Sequence, residues 1–136
     1  MSEAVRKERR EFRNIHVTQI LRYRMPLAAI VSILHRISGV LIFLLLPFLL
    51  YLFDLSLTSE TSFDTFRDVL SHGLVKLVLL ALIWAYLHHF CAGIRHLLLD
   101  VHIAGSKEGG RKTAATTLVI SLLLTLVIGL KLFGAF

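Results

Sequence analysis

An all-α fold, a bundle of three transmembrane helices, is predicted by three observations. Apolar stretches occupy residues 27–53, 74–99 and 114–136, and 56% of the chain is hydrophobic. Each stretch exceeds the ~20 residues needed to cross a hydrocarbon core of ~30 Å. Backbone polar groups in lipid must bond within their own segment, so the stretches are helices. The 136 residues therefore read as one integral membrane domain, 1–136, with an N-terminal segment at 1–25 and no room for a separate soluble domain.

Taken in order, residues 3–13, EAVRKERREFR, combine helical propensity with few apolar groups. Such a segment lies on the membrane surface, beneath a partner, or disordered. The 26 polar-rich residues before the first long apolar run argue against a cleaved signal peptide, and Glu3, Glu8 and Glu11 argue against a transit peptide. A bacterial inner membrane is the expected location. Pro26 sits at the start of the first span, where its missing N–H is harmless. Pro47 lies within the span and should bend it or loosen a turn. In TSETSFDTFRDVLSHG, 58–73, hydroxyl caps precede Phe63, Phe66, Val69 and Leu70 at helical spacing, which predicts a short interfacial helix. The glycines and charges of AGSKEGGRKT, 104–113, predict a loop. The third span is nearly featureless, with Gly129 and Lys131 near its far end.

Charge sets the expected orientation. Residues 1–24 carry seven Arg or Lys, and the 100–113 connection carries Lys107, Arg111 and Lys112. The 54–73 connection carries Arg67 against Asp54, Glu60, Asp64 and Asp68. The positive-inside rule places the N-terminus in the cytoplasm and the C-terminus in the periplasm. The basic N-terminus is thereby explained by topology and by anionic lipid or an acidic partner, without nucleic acid. The single cysteine, Cys91, precludes an internal disulfide and an iron–sulfur cluster held by this chain alone.

The polar residues of the first two spans form one layer. Arg36 lies on the order of 15 Å beyond Pro26, and His89 on the order of 16 Å before Asp100, at 1.5 Å per residue. Ser32 and Arg36 share a helical stripe with His35 and Gly39 beside it, and His89, Gly93 and His96 form another. Ionisable side chains inside a membrane mark function by default. Arg36 alone is equally compatible with snorkelling, and His96, Arg95 and Asp100 near the interface with plain solvation. His88 points about 100° away from His89 and should bond a neighbouring helix. His16, His72 and His102 lie at or beyond the membrane edges, and Lys76 and Lys131 near the outer ends snorkel.

Neutral imidazole ligates haem iron, and haem propionates need cations or donors, which His35, Arg36, Arg95 and His96 can supply. A quinone is the other plausible guest. Ser32 can donate to a quinone carbonyl, and Arg36 can stabilise negative charge on it but cannot lose its own proton. Of Ser32, His35 and Arg36, only the histidine is of a type that exchanges protons near neutral pH.

At SILHRISG and HFCAGIRHLLLD the chain resembles the cytochrome b556 anchor subunits of succinate dehydrogenase (complex II), the first of its two membrane subunits. Ser32, Ile33, His35, Arg36, Ser38 and Gly39, then His89, Gly93, Arg95, His96 and Asp100, stand in the family's order. The likeness covers nearly the whole chain. It implies an anchor bundle that pairs with a second membrane anchor subunit and carries an iron–sulfur subunit and a flavoprotein subunit. It implies His89 as axial ligand to a haem b shared with the second anchor, and Ser32 and Arg36 as the ubiquinone site. His35 and Arg36 would lie near the haem propionates. One departure precedes the first span, where RNIHVTQILRYRMPL replaces an Arg-Pro-x-Ser-Pro-His-Leu-like segment. Two other readings of the polar layer stand beside this one: a haem-free membrane scaffold or transporter component, and a self-contained b-type cytochrome ligated by His35 and His89.

Overall fold

The computed structural model describes residues 16–135. The cationic stretch 3–13, expected on the membrane surface, beneath a partner or disordered, lies outside the described residues. Among the described residues five helices follow one another: α1 (Val17–Arg22), α2 (Leu27–Thr58), α3 (Glu60–Ser71), α4 (Gly73–Asp100) and α5 (Lys107–Leu132). No strand occurs among the described residues. Helices α2, α4 and α5 are each long and apolar enough to cross a membrane. The protein is thus an all-α, multi-pass membrane bundle.

The first span begins where proline chemistry predicts. Pro26 caps α2, and its carbonyl accepts from the amides of Ala29 and Ile30. The helix continues through Pro47 to Thr58, five residues beyond the expected end. The interfacial helix is present as α3. Ser59 and Ser62 cap it reciprocally: Ser59 Oγ accepts from the Ser62 amide at 3.1 Å, and Ser62 Oγ accepts from the Ser59 amide at 2.8 Å. Its Phe63 and Phe66 rings lie 5.6 Å apart.

The structure corrects the expected loop at 104–113. Helix α5 already begins at Lys107, so only residues 101–106 connect it to α4. Ser106 Oγ accepts from the Gly109 amide at 3.0 Å, and Glu108 pairs with Lys112 at 2.7 Å across one turn. One of the glycines that suggest a loop, Gly109, serves close packing instead. A Cβ on Gly109 would lie 2.9 Å from the Ala104 carbonyl oxygen. The turn itself needs left-handed backbone at His102 (φ 62°) and Ala104 (φ 61°). The amides of His102 and Ile103 return to the carbonyls of Leu99 and Leu98, closing the end of α4.

Helix α4 packs against both α2 and α5. All three meet near the face where α2 starts and α4 ends, in a cluster of Val31, Ala92 and Ala114. Small residues dominate the contacts because lipid offers no hydrophobic drive, so close backbone approach must supply the attraction. At the opposite face, Lys76 Nζ lies 5.9 Å over the Phe133 ring.

Candidate functional site

The site is built where α2 crosses α4. The rings of His35 and His89 stack at 4.1 Å with 15° between their planes, and His96 tilts against His35 at 5.1 Å. Two glycines permit this contact from opposite sides. A Cβ on Gly39 would lie 3.0 Å from His89 Cε1, and one on Gly93 would lie 3.7 Å from His35 Nε2. Each helix therefore omits a side chain where the other presents an imidazole.

Hydrogen bonding fixes the state of His89. Its Nδ1 lies 3.0 Å from the backbone carbonyl oxygen of His35 and 3.3 Å from Ser38 Oγ. A carbonyl only accepts, so Nδ1 carries the proton and donates. A neutral ring then keeps its lone pair on Nε2. This is how metal-binding histidines are oriented: one nitrogen donates to a carbonyl and the other is left for the metal. Ser38 is fully buried, and its hydroxyl also donates to the His35 carbonyl at 2.8 Å. Sequence reasoning placed Ser38 in the motif but gave it no role. The available signal was its position three residues after His35, where a helical serine reaches back to a carbonyl.

A groove of about 480 Å³ runs beside the stacked rings. His35, Arg36, Gly39 and His89 line one end, and Val40, Phe43 and Leu44 the other. Arg36 is exposed and makes no hydrogen bond or ion pair among the described residues. Ser32 is half-buried one turn away on α2, outside the groove lining. The structure thus gathers His35, Arg36, His89 and His96, with Ser32 close by.

Arg95 goes elsewhere. Its Nε donates to Thr113 Oγ1 at 3.2 Å and its Nη2 to the Gly110 carbonyl at 3.4 Å, both on α5. It faces away from the groove in which the sequence suggested a partner for it, because one residue of helix turns it about 100° from His96. His88 also faces α5, as its position on the wheel predicts, with Nδ1 3.4 Å from Ser121 Oγ.

No group of three or more metal-binding side chains comes together among the described residues. A lone presented imidazole suits a metal whose equatorial ligands come from a porphyrin, which needs only axial partners. His35 and His89 do not fit as the two axial ligands of one iron. Rings stacked face to face in van der Waals contact leave no space for a macrocycle between them.

A family profile described as succinate dehydrogenase/fumarate reductase transmembrane subunit matches residues 10–128. Curated relatives named succinate dehydrogenase cytochrome b556 subunit include one from Coxiella burnetii, 37% identical over 111 residues, covering 81% of this chain and 89% of that protein. One from Paracoccus denitrificans is 30% identical over 109 residues, covering 78% and 84%. One from Rickettsia prowazekii is 29% identical over 106 residues, covering 78% and 82%.

Proposed function

Since the chain belongs to the succinate dehydrogenase/fumarate reductase transmembrane subunit family, we propose that it is the cytochrome b556 anchor of a bacterial succinate dehydrogenase. It pairs with a second membrane anchor in the inner membrane, with its N-terminus cytoplasmic. Flavoprotein and iron–sulfur subunits dock on that side and deliver electrons from succinate to ubiquinone.

The residues at the α2–α4 crossing divide the work. His89 would hold haem b through Nε2, together with a ligand from the second anchor. The haem, when bound, would supply a one-electron store. The His35 carbonyl and Ser38 hold the His89 ring in orientation, which keeps the lone pair aimed and its tautomer constant. Arg36 and His35 pair the haem propionates, because carboxylates at membrane depth demand cations or donors. Ser32 and Arg36 hold the ubiquinone head group, Ser32 by donating to a carbonyl oxygen and Arg36 by its charge. His35 and His96, in ring contact, pass protons toward that oxygen.

The pinned imidazole carries this assignment: Nδ1 of His89 donates to the His35 carbonyl at 3.0 Å, leaving Nε2 as the ligand nitrogen. The test is a reduced-minus-oxidised spectrum of the complex purified from membranes. His89→Ala should abolish the low-spin haem signal while His35→Ala retains it. Retention of the signal in His89→Ala removes the assignment. Intact mass spectrometry of the same preparation should show flavoprotein, iron–sulfur and second anchor chains together.

A further inference from the structure

Arg95 is 95% buried in the seam between α4 and α5 (5% exposed), and no carboxylate among the described residues pairs with it. Its two bonds, to Thr113 Oγ1 and the Gly110 carbonyl, are to neutral acceptors. A guanidinium has five N–H donors, so three remain. A buried cation without a counter-ion is costly. Arg95 lines one end of a groove of about 590 Å³ on the face of α4 opposite His89. Thr113, Thr116 and Thr117 line that same end. Beyond them the walls are apolar, with Phe90, Ile94, Ile120 and Leu124.

The polarity and length of this groove match one molecule type. From Arg95 to Tyr86 along α4 is about 13 Å, and from Thr113 to Leu124 along α5 about 16 Å, at 1.5 Å per residue. That is about half of a ~30 Å hydrocarbon core, the depth of one leaflet. The cation lies five residues from the end of α4 and the hydroxyls six or more into α5, at the level where lipid head groups begin. Glu108, in the first turn of α5, is already paired with Lys112.

We infer that the α4–α5 groove is a binding site for one anionic phospholipid, its phosphate on Arg95 and an acyl chain along the apolar walls. The phosphate supplies the missing counter-charge, and the lipid mortars α5 to the rest of the bundle. The site needs only that these helices cross a membrane, so it stands whether or not His89 binds haem.

The intact complex is reconstituted in nanodiscs of phosphatidylcholine with or without phosphatidylglycerol, and retained lipids are counted by native mass spectrometry. Wild type should keep one more phosphatidylglycerol than Arg95→Gln. Because Arg95 also ties α4 to α5, a second variant, Thr116→Phe, fills the groove without touching those bonds. Thr116 is exposed and bonds only back to the Lys112 carbonyl. Thr116→Phe should lose the same single lipid and keep all protein subunits. Equal phosphatidylglycerol retention by wild type and Thr116→Phe overturns the proposal. So does a photo-crosslinking residue at position 116 that captures a polypeptide rather than lipid, since a partner helix would then occupy the groove.

Discussion

His88 and His89 are adjacent in sequence and opposite in setting. His88 is fully buried, stacked on Trp84 and turned to Ser121 of α5, and its Nε2 has no hydrogen-bond partner among the described residues. His89 is half-buried, turned to α2, with Nδ1 pinned by a carbonyl and its ring lining a groove. The same contrast runs along α4. One face, with His89, Gly93 and His96, meets the histidine and arginine of α2. The other, with His88 and Arg95, meets hydroxyls and glycines of α5. Residue type alone does not set chemistry on a membrane helix. What matters is whether the nitrogen left over faces a packed helix, as at His88, or an open groove, as at His89.

Four experiments test this contrast. The largest effect is expected from exchanging the histidines. His89→Ala should eliminate haem absorbance, whereas His88→Ala should retain it, and the reverse pattern would invert the two faces. Next come the arginines. Arg36→Leu should lower succinate–ubiquinone reductase on the order of 10²-fold, the usual cost of losing an electrostatic donor at a reacting oxygen. Electron transfer from succinate to an artificial dye should persist in that variant. Arg95→Leu should leave quinone turnover within about twofold, because it removes no contact with the quinone. Equal loss from both arginine variants would erase the distinction.

A smaller effect separates the glycines. Gly39→Ala should displace the His89 ring, since its Cβ would lie at 3.0 Å, and shift or diminish the haem spectrum. Gly93→Ala, with ordinary contact at 3.7 Å, should leave the spectrum near wild type. The smallest effect is expected at His88. Replacement by leucine should change the stability of the detergent-solubilised complex by less than about 1.5 kcal/mol, because a hydrophobe of similar size fills the space. Replacement by alanine should cost about 2 kcal/mol or more through the cavity it leaves. Thermal denaturation of the two variants checks this.

Much of the site was legible before any coordinates. The stripes of His89, Gly93 and His96 and of Ser32 and Arg36 are spaced by helix geometry, and their common depth follows from the rise per residue. The position of His88 on the wheel correctly sent it to a neighbouring helix. The first turns of α5 were not legible, because the glycines at 109 and 110 look like loop residues until Ala104 and Arg95 are seen against them. Nor was the polar side of the third span. Thr113, Thr117, Ser121, Thr125 and Gly129 recur every fourth residue, and Thr117, Ser121 and Gly129 are buried. Hydroxyls that bond back to their own helix carry little hydropathy signal, so the stripe is hidden in an otherwise apolar run.

Hydropathy, helical rise and motif spacing suffice for the three spans, the level of the polar layer and the family, because each is a property of one segment at a time. The packing of helices was needed to see that Arg95 bonds across to α5, that Ser38 and the His35 carbonyl orient His89, and that a second groove opens behind the first. Periodicity gives angles within a helix but not the rotation of one helix against another. That rotation is set by where a missing side chain lets a neighbour in: Gly39 for His89, Gly93 for His35 and Gly129 for Leu80.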